Sequence, residues 1–254
     1  MKNAKTVFIT GGTSGIGLAL AKKYQLEGHK VGICGRNLSK LPKHTSKEIL
    51  TYELDVRDRD KLIQAVRAFS AEVGGLGIIV ANAGKAISNK KKLPDFEAAR
   101  ELIDINVIGV INTFEAALGE MSKVGNGQLV AIASVAGQVG LPGAGAYCAS
   151  KAAVIKLCES YWIDLKSKGI KVTTVCPGFI DTPLTKQNGH KMPFIMSAEK
   201  AANKIFHAIE REKVIFTFPW QMNLAITFLE KIPRIIYRNL ITFGTKLVMP
   251  GRSE

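Results

Sequence analysis

Short apolar runs alternate with longer amphipathic segments through the first 210 residues of this chain. Runs such as 6–10, 31–34, 76–81 and 128–133 are rich in β-branched and other apolar residues, as in strands buried on both faces. The segments between them carry apolar residues at helical spacing. Strands that alternate with helices pair in parallel, with helices covering both faces of the sheet. The chain is therefore predicted to form one α/β domain with a doubly wound parallel sheet.

A glycine-rich segment, residues 10–17, joins the first predicted strand to the first predicted helix. Its sequence, Thr-Gly-Gly-Thr-Ser-Gly-Ile-Gly, lets the backbone turn tightly and approach a pyrophosphate. The helix that follows would offer unpaired N–H groups and the positive end of its dipole to that anion. A plain glycine-rich turn is the alternative, but the position between strand and helix favours a Rossmann-type dinucleotide site. The predicted contacts are Gly11, Thr13, Ser14, Gly15, Ile16 and Gly17.

The end of the second predicted strand indicates which dinucleotide is bound. A carboxylate there would accept hydrogen bonds from both ribose hydroxyls and favour NAD(H), but residues 34–37 contain no acid. Arg36 suits a 2′-phosphate instead, through its charge and its bidentate reach, so NADP(H) is predicted. A solvent-facing Arg36 without a ligand is the alternative. The later strand ends add the expected cofactor contacts Asp55, Val56, Asn82, Ala83 and Gly84.

Tyr147 and Lys151 are four residues apart at the start of a predicted helix. This spacing stacks the two side chains on one face, one turn apart. An ammonium group near a phenol favours the phenolate and would lower the pKa of Tyr147, which could then exchange a proton near neutral pH. Ser134 lies thirteen residues before Tyr147, at the end of a predicted strand. Because doubly wound sheets bind ligands at their strand ends, the three side chains are expected to converge.

These motifs together resemble the short-chain dehydrogenase/reductase family, in its compact single-domain branch. The resemblance covers roughly residues 5–210 and includes Asn106, as well as the segment that follows the sixth predicted strand. The arginine in place of the acid at position 36 is similar to the NADP-preferring pattern of the family. The motifs are Thr10-Gly-x-x-x-Gly-Ile-Gly17, Asn82-Ala-Gly84, Asn106, Ser134, Tyr147-x-x-x-Lys151 and Pro177-Gly-x-x-x-Thr182.

The resemblance implies a role for each site residue. Tyr147 would be the general acid in reduction and the general base in oxidation. Lys151 would lower the pKa of Tyr147 and hold the nicotinamide ribose, while Ser134 would stabilise charge on the substrate oxygen. Asn106 would fix a water in the proton relay, although a local backbone contact within its helix is the alternative. The implied contacts to the carboxamide end of the cofactor are Pro177, Gly178, Ile180 and Thr182.

The composition narrows the range of partners. The four cysteines form no Cys-x-x-Cys pair and the four histidines show no metal-ligand spacing, so no metal site is predicted. The net charge of +14 favours anionic ligands or indicates only a solvated basic surface. No nucleic-acid-binding signature accompanies this charge, so nucleic acid is not expected to bind. The N-terminal residues contain no apolar signal-peptide core, which predicts a cytoplasmic protein.

Residues 183–196 are predicted to form the loop that covers the substrate. An apolar loop favours an apolar or amphipathic substrate, while packing of the loop on the cofactor is the alternative. The apolar members are Leu184, Met192, Phe194, Ile195 and Met196.

The tail, residues 211–254, is predicted to extend the domain of residues 1–210 as one or two amphipathic basic helices. It contains seven Lys/Arg and three Asp/Glu among large apolar side chains. Such helices can lie at a membrane surface, pack over the substrate cleft, or form a dimer contact. Residues 211–249 are therefore a candidate for peripheral contact with the cytosolic face of a membrane. The tail resembles those of lipid-handling members of the family.

The function predicted from these patterns is that of an NADP(H)-dependent carbonyl reductase or alcohol dehydrogenase that acts on a hydrophobic, lipid-like small molecule. A non-catalytic NADPH-binding regulatory or membrane-associated scaffold protein is the alternative, which the complete catalytic group disfavours. An epimerase or dehydratase on the same fold would need a longer C-terminal substrate domain. The resemblance also implies a homodimer that forms through the helices at 96–121 and 147–167.

Overall fold

The part of the chain that the structure describes contains nine strands, all paired in parallel. A computed structural model describes residues 5–42, 45, 47–86, 94–187 and 192–239. The strands are β1 (Thr6–Thr10), β2 (Lys30–Gly35), β3 (Ile49–Glu53), β4 (Ile78–Ala81), β5 (Gly127–Ile132), β6 (Ile170–Pro177), β7 (Ile180–Asp181), β8 (Met196–Ser197) and β9 (Ile215–Phe218). Seven of them form one sheet in the order β3-β2-β1-β4-β5-β6-β9, while β7 and β8 form a separate ribbon. The predicted doubly wound parallel sheet is confirmed.

Helices cover both faces of the sheet, because each presents an apolar stripe to it. They are α1 (Gly15–Leu26), α2 (Arg59–Val73), α3 (Phe96–Ile103), α4 (Gly109–Val124), α5 (Gly145–Leu165), α6 (Ala198–Glu210) and α7 (Trp220–Lys231). On one face, Phe69 of α2, Phe114 of α4 and Val154 of α5 belong to one buried cluster. On the other face, Leu20 of α1 and Ile205 of α6 belong to a second. The two clusters bury the sheet on both sides, as its continuous apolar runs predicted.

The path of the chain creates a crevice at the carboxyl ends of the central strands. From β1 the chain moves outward to β2 and β3, and it then crosses back so that β4 pairs with the other side of β1. The loops after β1 and β4 therefore leave in opposite directions, and a crevice opens between them at the carboxyl ends of the strands. The predicted site residues that follow the strands all lie at this carboxyl end of the sheet.

The tail begins differently from the prediction. Residues 211–254 were expected to be helical, but Ile215–Phe218 form β9, which pairs in parallel with β6 at the edge of the sheet. The strand is only four residues long and its first residue is exposed, so its sequence shows no clear alternation of apolar and polar residues. Helix α7 and a further helical segment at 234–239 follow the strand. The described part of the tail, residues 211–239, is thus partly a strand of the sheet and partly the predicted helices, and residues 240–254 lie outside the described residues.

The long helix predicted at 95–121 is interrupted. Between α3 and α4, residues 104–108 form a single π-helical turn, in which the N–H of Gly109 bonds to the carbonyl of Asp104. Of the described helices, the continuous stretch Phe96–Val124 alone is long and apolar enough to cross a membrane. More than half of its most apolar window is buried in the protein, as in a core helix that packs against a sheet.

Helix α7 and residues 234–239 pack beside the carboxyl end of β5. A small buried cluster joins Ile226 and Tyr237 to Val135 and Val139, which follow Ser134 along the chain. The phenol of Tyr237 donates a hydrogen bond to the carbonyl of Gly140. The described part of the tail therefore lies against the loop that begins at Ser134.

Candidate active site

A cleft of about 290 Å³ occupies the crevice at the carboxyl ends of the strands. Ser134, Tyr147 and Lys151 line one end of it. The expected cofactor contact Gly17 and the expected proton-relay residue Asn106 are not among its lining residues; both lie directly behind the wall. The other predicted dinucleotide contacts all line the cleft: Gly11, Thr13, Ser14, Gly15, Ile16, Arg36, Asp55, Val56, Asn82, Ala83, Gly84, Pro177, Gly178, Ile180 and Thr182.

The glycine-rich loop and the end of β4 are packed backbone to backbone. A Cβ at Gly11, which has a φ of +65°, would lie 2.7 Å from the Cα of Ala83. A Cβ at Gly17 would lie 2.4 Å from both the Asn82 amide nitrogen and the Gly11 carbonyl oxygen. The Asn82 amide donates to the carbonyls of Thr10 at 2.9 Å and Gly11 at 3.1 Å. The absence of a side chain at Gly17 thus leaves space for the Asn82 amide, whose hydrogen bonds hold the glycine-rich loop against the end of β4.

The first turn of α1 is open to an anion. Helices α2, α3 and α6 begin at Asp58, Asp95 and Ser197, each of which accepts a hydrogen bond from a first-turn N–H. Helix α1 begins at Ser14, whose side chain makes no such bond, and its first turn contains no acid. Since this turn faces the cleft, its N–H groups and the helix dipole can hold a pyrophosphate, and the residues present fit that group.

The far end of the cleft is positively charged. Arg36 is exposed at the end of β2 and lies close enough to Asp55 to lower the pKa of that carboxyl group. The main cause of the lowered pKa of Asp55 is Arg57, whose guanidinium donates hydrogen bonds of 3.1 and 2.7 Å to its two oxygens. Because Arg57 occupies Asp55, the guanidinium of Arg36 is available to an anionic ligand at this end.

Helix α5 positions the phenol and the ammonium group. Tyr147 and Lys151 lie one turn apart, with Lys151 Nζ 5.9 Å from the centroid of the Tyr147 ring. The Ser134 hydroxyl lies close enough to the Tyr147 phenol to act on the pKa of that phenol, and the N–H of Ala136 donates to Ser134 Oγ at 3.2 Å. Ser134, Tyr147 and Lys151 therefore converge, as their spacing predicted.

The pKa of Tyr147 differs from the sequence prediction. Lys151 was expected to lower it, but burial raises the pKa of Tyr147 above its ordinary value, and the nearby Ser134 hydroxyl opposes this only in part. Lys151 Nζ donates instead to the carbonyl of Ile132 at 2.8 Å. Burial lowers the pKa of Lys151 to about 8. The ammonium is thus directed to the strand end, from which it can also reach a ligand in the cleft.

Asn106 lies in the π-helical turn, fully buried behind Gly84. Its Oδ1 accepts from the N–H of Lys85 at 2.8 Å, and its Nδ2 donates to the Lys85 carbonyl at 2.9 Å and to Ser150 Oγ at 3.0 Å. These bonds use both amide hydrogens and leave one acceptor site on Oδ1. A carbon atom added at Gly84 would lie 3.3 Å from this Oδ1 and 3.7 Å from Lys151 Nζ. Asn106 therefore meets local backbone and also borders the region beside Lys151.

The segment after β6 is held by threonine side chains. Thr185 Oγ1 accepts from the N–H of Thr182 at 3.0 Å and donates to the Ile180 carbonyl. Residues 188–191 of the predicted substrate loop lie outside the described residues; Leu184 lines the cleft, whereas Phe194 and Ile195 are exposed. Sequence analysis missed Lys85 and Thr185 because neither belongs to a motif; only their position next to motif residues could have indicated them. Other lining residues that it missed are Gly35, Asn37, Leu54, Ile105, Ile132, Ala133 and Pro183.

Within the described residues, no group of three or more His, Cys, Asp or Glu side chains could hold a metal ion. The four cysteines are buried and unpaired with one another. The chemistry of this site therefore rests on a phenol, a hydroxyl and an ammonium group, together with whatever binds along the glycine-rich loop.

Known proteins share this architecture. The sequence profile described as short chain dehydrogenase matches residues 5–193. An uncharacterised oxidoreductase of Myxococcus xanthus is 36% identical over 240 residues, which cover 92% of this chain and 94% of the relative. A short-chain dehydrogenase of Streptomyces avermitilis superposes with a TM-score of 0.80 at 24% identity, over 99% of this chain and 100% of that one. ElxO, solved with NADP bound, superposes with a TM-score of 0.76 at 27% identity, over 84% and 96%.

These matches confirm the resemblance that the motifs predicted. The family profile covers well over half of the chain, and the Myxococcus relative aligns along nearly all of it. The relatives found by sequence are oxidoreductases, and the structural neighbours share the seven-stranded sheet. This chain is an oxidoreductase that belongs to the short-chain dehydrogenase family.

Proposed function

We propose that the protein interconverts a carbonyl and a primary or secondary alcohol with NADP(H), using Tyr147 as the general acid and base. The observation that carries this proposal is the Tyr147 phenol close to the Ser134 hydroxyl and the buried ammonium of Lys151, at one end of a cleft whose wall is a glycine-rich loop. A phenol, a hydroxyl donor and a cation in one place can protonate and stabilise an oxygen that gains charge.

Each side chain then has one task. The nicotinamide supplies or accepts the hydride at the carbonyl carbon. During reduction, Ser134 Oγ–H stabilises charge that develops on the substrate oxygen, and Tyr147 Oη–H gives that oxygen its proton. Lys151, whose Nζ donates to the Ile132 carbonyl, would hold the nicotinamide ribose and pass a proton back toward the phenolate that remains. Asn106, through its remaining Oδ1 acceptor site, holds a water that returns a proton toward Lys151.

Arg36 is the main argument for NADP(H) over NAD(H). It is exposed at the end of β2 where an acid would select NAD(H), and Arg57 already binds the nearby carboxylate of Asp55. ElxO, a structural neighbour at 27% identity, was solved with NADP bound. NAD(H) is the less favoured cofactor.

The substrate is proposed to be hydrophobic and lipid-like. The side chain of Leu184 lines the cleft, and the apolar cluster of Val135, Val139, Ile226 and Tyr237 adjoins the loop after Ser134. An apolar tail on the substrate would bury its surface against such walls.

The assembly and location follow the same line of argument. We propose a homodimer that forms through the helices at 96–121 and 147–167, where Phe96, Ile108 and Ile163 are exposed. We also propose that the protein is cytoplasmic and contacts the cytosolic face of a membrane through residues 211–249. Members of one family can differ in assembly and in location, so the dimer contact and the membrane contact each require a separate experiment.

The first experiment follows NADPH oxidation with ketones and aldehydes of increasing chain length. Tyr147→Phe is expected to abolish turnover and leave NADPH binding unchanged, because only the proton donor is removed. Tyr161→Phe, on the same helix but packed near Phe114, is the matched control and should retain full activity. Activity retained in Tyr147→Phe would overturn the proposal. Tight NADPH binding without turnover of any substrate would favour the alternative, a non-catalytic NADPH-binding regulatory or scaffold protein.

A further inference from the structure

Helix α7 has two apolar faces. Its inner face buries Ile226 against Val135 and Val139, beside the loop that begins at Ser134. On the opposite face, Trp220, Leu224 and Phe228 are spaced four residues apart, and they are 70%, 64% and 64% exposed. A helix that only covers the domain would carry polar residues on that side. The outward apolar stripe therefore needs an explanation beyond the fold.

Two more exposed apolar side chains follow the end of α7. In the helical segment at 234–239, Ile235 and Ile236 are 72% and 54% exposed. We call the set Trp220, Leu224, Phe228, Ile235 and Ile236 the α7 outer face. Soluble monomers seldom expose several large apolar side chains together, and such groups usually mark an interaction site.

Basic side chains accompany the α7 outer face. Helical spacing puts Lys231 on the same side of α7 as Leu224 and Phe228, and both Lys231 and Arg234 are exposed. Residues 220–239 contain three basic side chains and one acidic side chain, in a chain of net charge +14. The surface that this face contacts must therefore accept apolar side chains and attract cations.

We propose that the α7 outer face binds the surface of an anionic lipid bilayer. Aromatic and aliphatic side chains of an amphipathic helix insert at the level of the headgroups, while Lys and Arg remain beside the lipid phosphates. A second copy of the chain fits less well, because a two-fold contact would bring together two copies of the same face, each with three basic side chains and one acidic side chain in residues 220–239. The bilayer supplies the negative charge that a second copy lacks.

The two faces of α7 connect the bilayer to the substrate end of the cleft. Docking through Trp220 and Phe228 holds the loop after Ser134 close to the bilayer, because Ile226 on the opposite face packs on Val135. This part of the inference rests on the proposed function, in which the substrate is lipid-like. Lipid binding itself does not depend on any turnover.

The test uses vesicles and a tryptophan reporter in the full-length protein. Trp162→Phe leaves Trp220 as the single tryptophan. We expect a blue shift of its emission, and co-sedimentation of the protein, with vesicles of phosphatidylcholine and phosphatidylglycerol. Pure phosphatidylcholine should bind at least tenfold more weakly, and binding to the anionic vesicles should fall as salt rises from about 0.05 M to about 0.5 M.

Matched variants identify the surface. Leu224→Asp with Phe228→Asp should weaken vesicle binding by at least about tenfold, and Lys231→Glu with Arg234→Glu should do so at low salt. Leu26→Asp, at an exposed apolar position on α1, is the control and should bind as the wild type does. Circular dichroism and NADPH titration establish that each variant is folded. The catalytically inactive Tyr147→Phe protein should bind vesicles normally, which separates this inference from the proposed reaction.

Two results would overturn the proposal. The first is wild-type protein that neither sediments with anionic vesicles at low salt nor shifts the emission of Trp220. The second is a dimer in solution, without lipid, that Leu224→Asp with Phe228→Asp converts to monomer; the α7 outer face would then belong to a second copy.

Discussion

The Tyr237 phenol donates a hydrogen bond to the backbone carbonyl of Gly140. This bond joins the last described helical segment to the loop that begins at Ser134, and the buried cluster around Val139 and Ile226 surrounds it. Because Tyr237 does not line the cofactor cleft, it is a positioning residue. Its loss should affect how the substrate is held more than how the cofactor is held.

Replacement of Tyr237 by Phe removes this bond and little else. We expect the free energy of unfolding to fall by about 1 kcal/mol, as for a single buried hydrogen bond, and KM for the carbonyl substrate to rise severalfold with kcat little changed. Tyr52→Phe, at a half-buried tyrosine of β3, is the control for loss of a phenol hydroxyl. An unchanged KM beside the expected loss of stability would reduce Tyr237 to a structural role.

Arg36 should discriminate between the two nicotinamide cofactors. Arg36→Ala removes the charge proposed to contact the 2′-phosphate, so the Kd for NADPH should rise about tenfold while the Kd for NADH stays the same. We expect the loss of NADPH affinity to be modest, because the Arg36 side chain is exposed to solvent and its charge is screened by salt. Fluorescence titration with both cofactors measures it, with Arg100→Ala on α3 as the control. An equal loss for NADH and NADPH would mean that Arg36 does not bind the 2′-phosphate.

The lowered pKa of Lys151 predicts pH-dependent cofactor affinity. Below pH about 8 the side chain is charged and can contact the ribose; above that pH each binding event must first protonate it. The Kd for NADPH should therefore rise between pH about 8 and 9.5, while Lys151→Met should bind more weakly at every pH and without this dependence. Titration at intervals across this range measures both. A flat wild-type profile would contradict the assignment of Lys151 to the cofactor.

The same group contributes to stability with the opposite sign. Its pKa is about 8 in the folded protein and 10.5 without the burial, so the unfolded chain binds more protons between these values. The contribution of Lys151 to the free energy of unfolding of the cofactor-free protein therefore increases as pH rises through this window. Urea unfolding of the wild type and of Lys151→Met, compared at pH about 7.5 and about 9.5, isolates this contribution as the difference between the two proteins.

Gly17 should not tolerate even a methyl group. A Cβ there would lie 2.4 Å from a backbone oxygen and from the Asn82 amide, so Gly17→Ala must move the glycine-rich loop. We expect a loss of about 1–3 kcal/mol in the free energy of unfolding, together with weaker NADPH binding. Gly119→Ala is the matched control, because this α4 glycine faces open space and should stabilise the protein by about 0.5–1 kcal/mol. Equal stability of the two variants would contradict the close approach.

Local sequence patterns predicted most of the sheet and the cleft, because their signals are short-range. Tyr147 and Lys151 are one helical turn apart, and the glycines between β1 and α1 lie within a few residues of one another. Strand β9 was missed because its four residues join the sheet only through pairing with β6, about forty residues earlier. Lys85 was missed for a related reason: its partner Asn106 is 21 residues away.

The pKa of Tyr147 shows a second limit of sequence reasoning. Spacing alone predicted that Lys151 would lower this pKa, but the degree of burial, which only the packed structure determines, raises it. The direction of the Lys151 side chain toward Ile132 could not be predicted from a helix either, since the carbonyl belongs to β5. Both the pKa of Tyr147 and the direction of the Lys151 side chain depend on packing between different helices and strands.

The Asn106 side chain pairs with both the N–H and the carbonyl of Lys85, as a neighbouring peptide unit would in a sheet. One side-chain amide thus pairs with the main chain beyond the end of β4. Because Asn106 bonds only to main-chain atoms of residue 85, the side chain at that position can be exchanged without breaking these two hydrogen bonds. Position 85 is therefore a place where the charge of the cleft can be retuned, by evolution or by design, at little cost to its geometry.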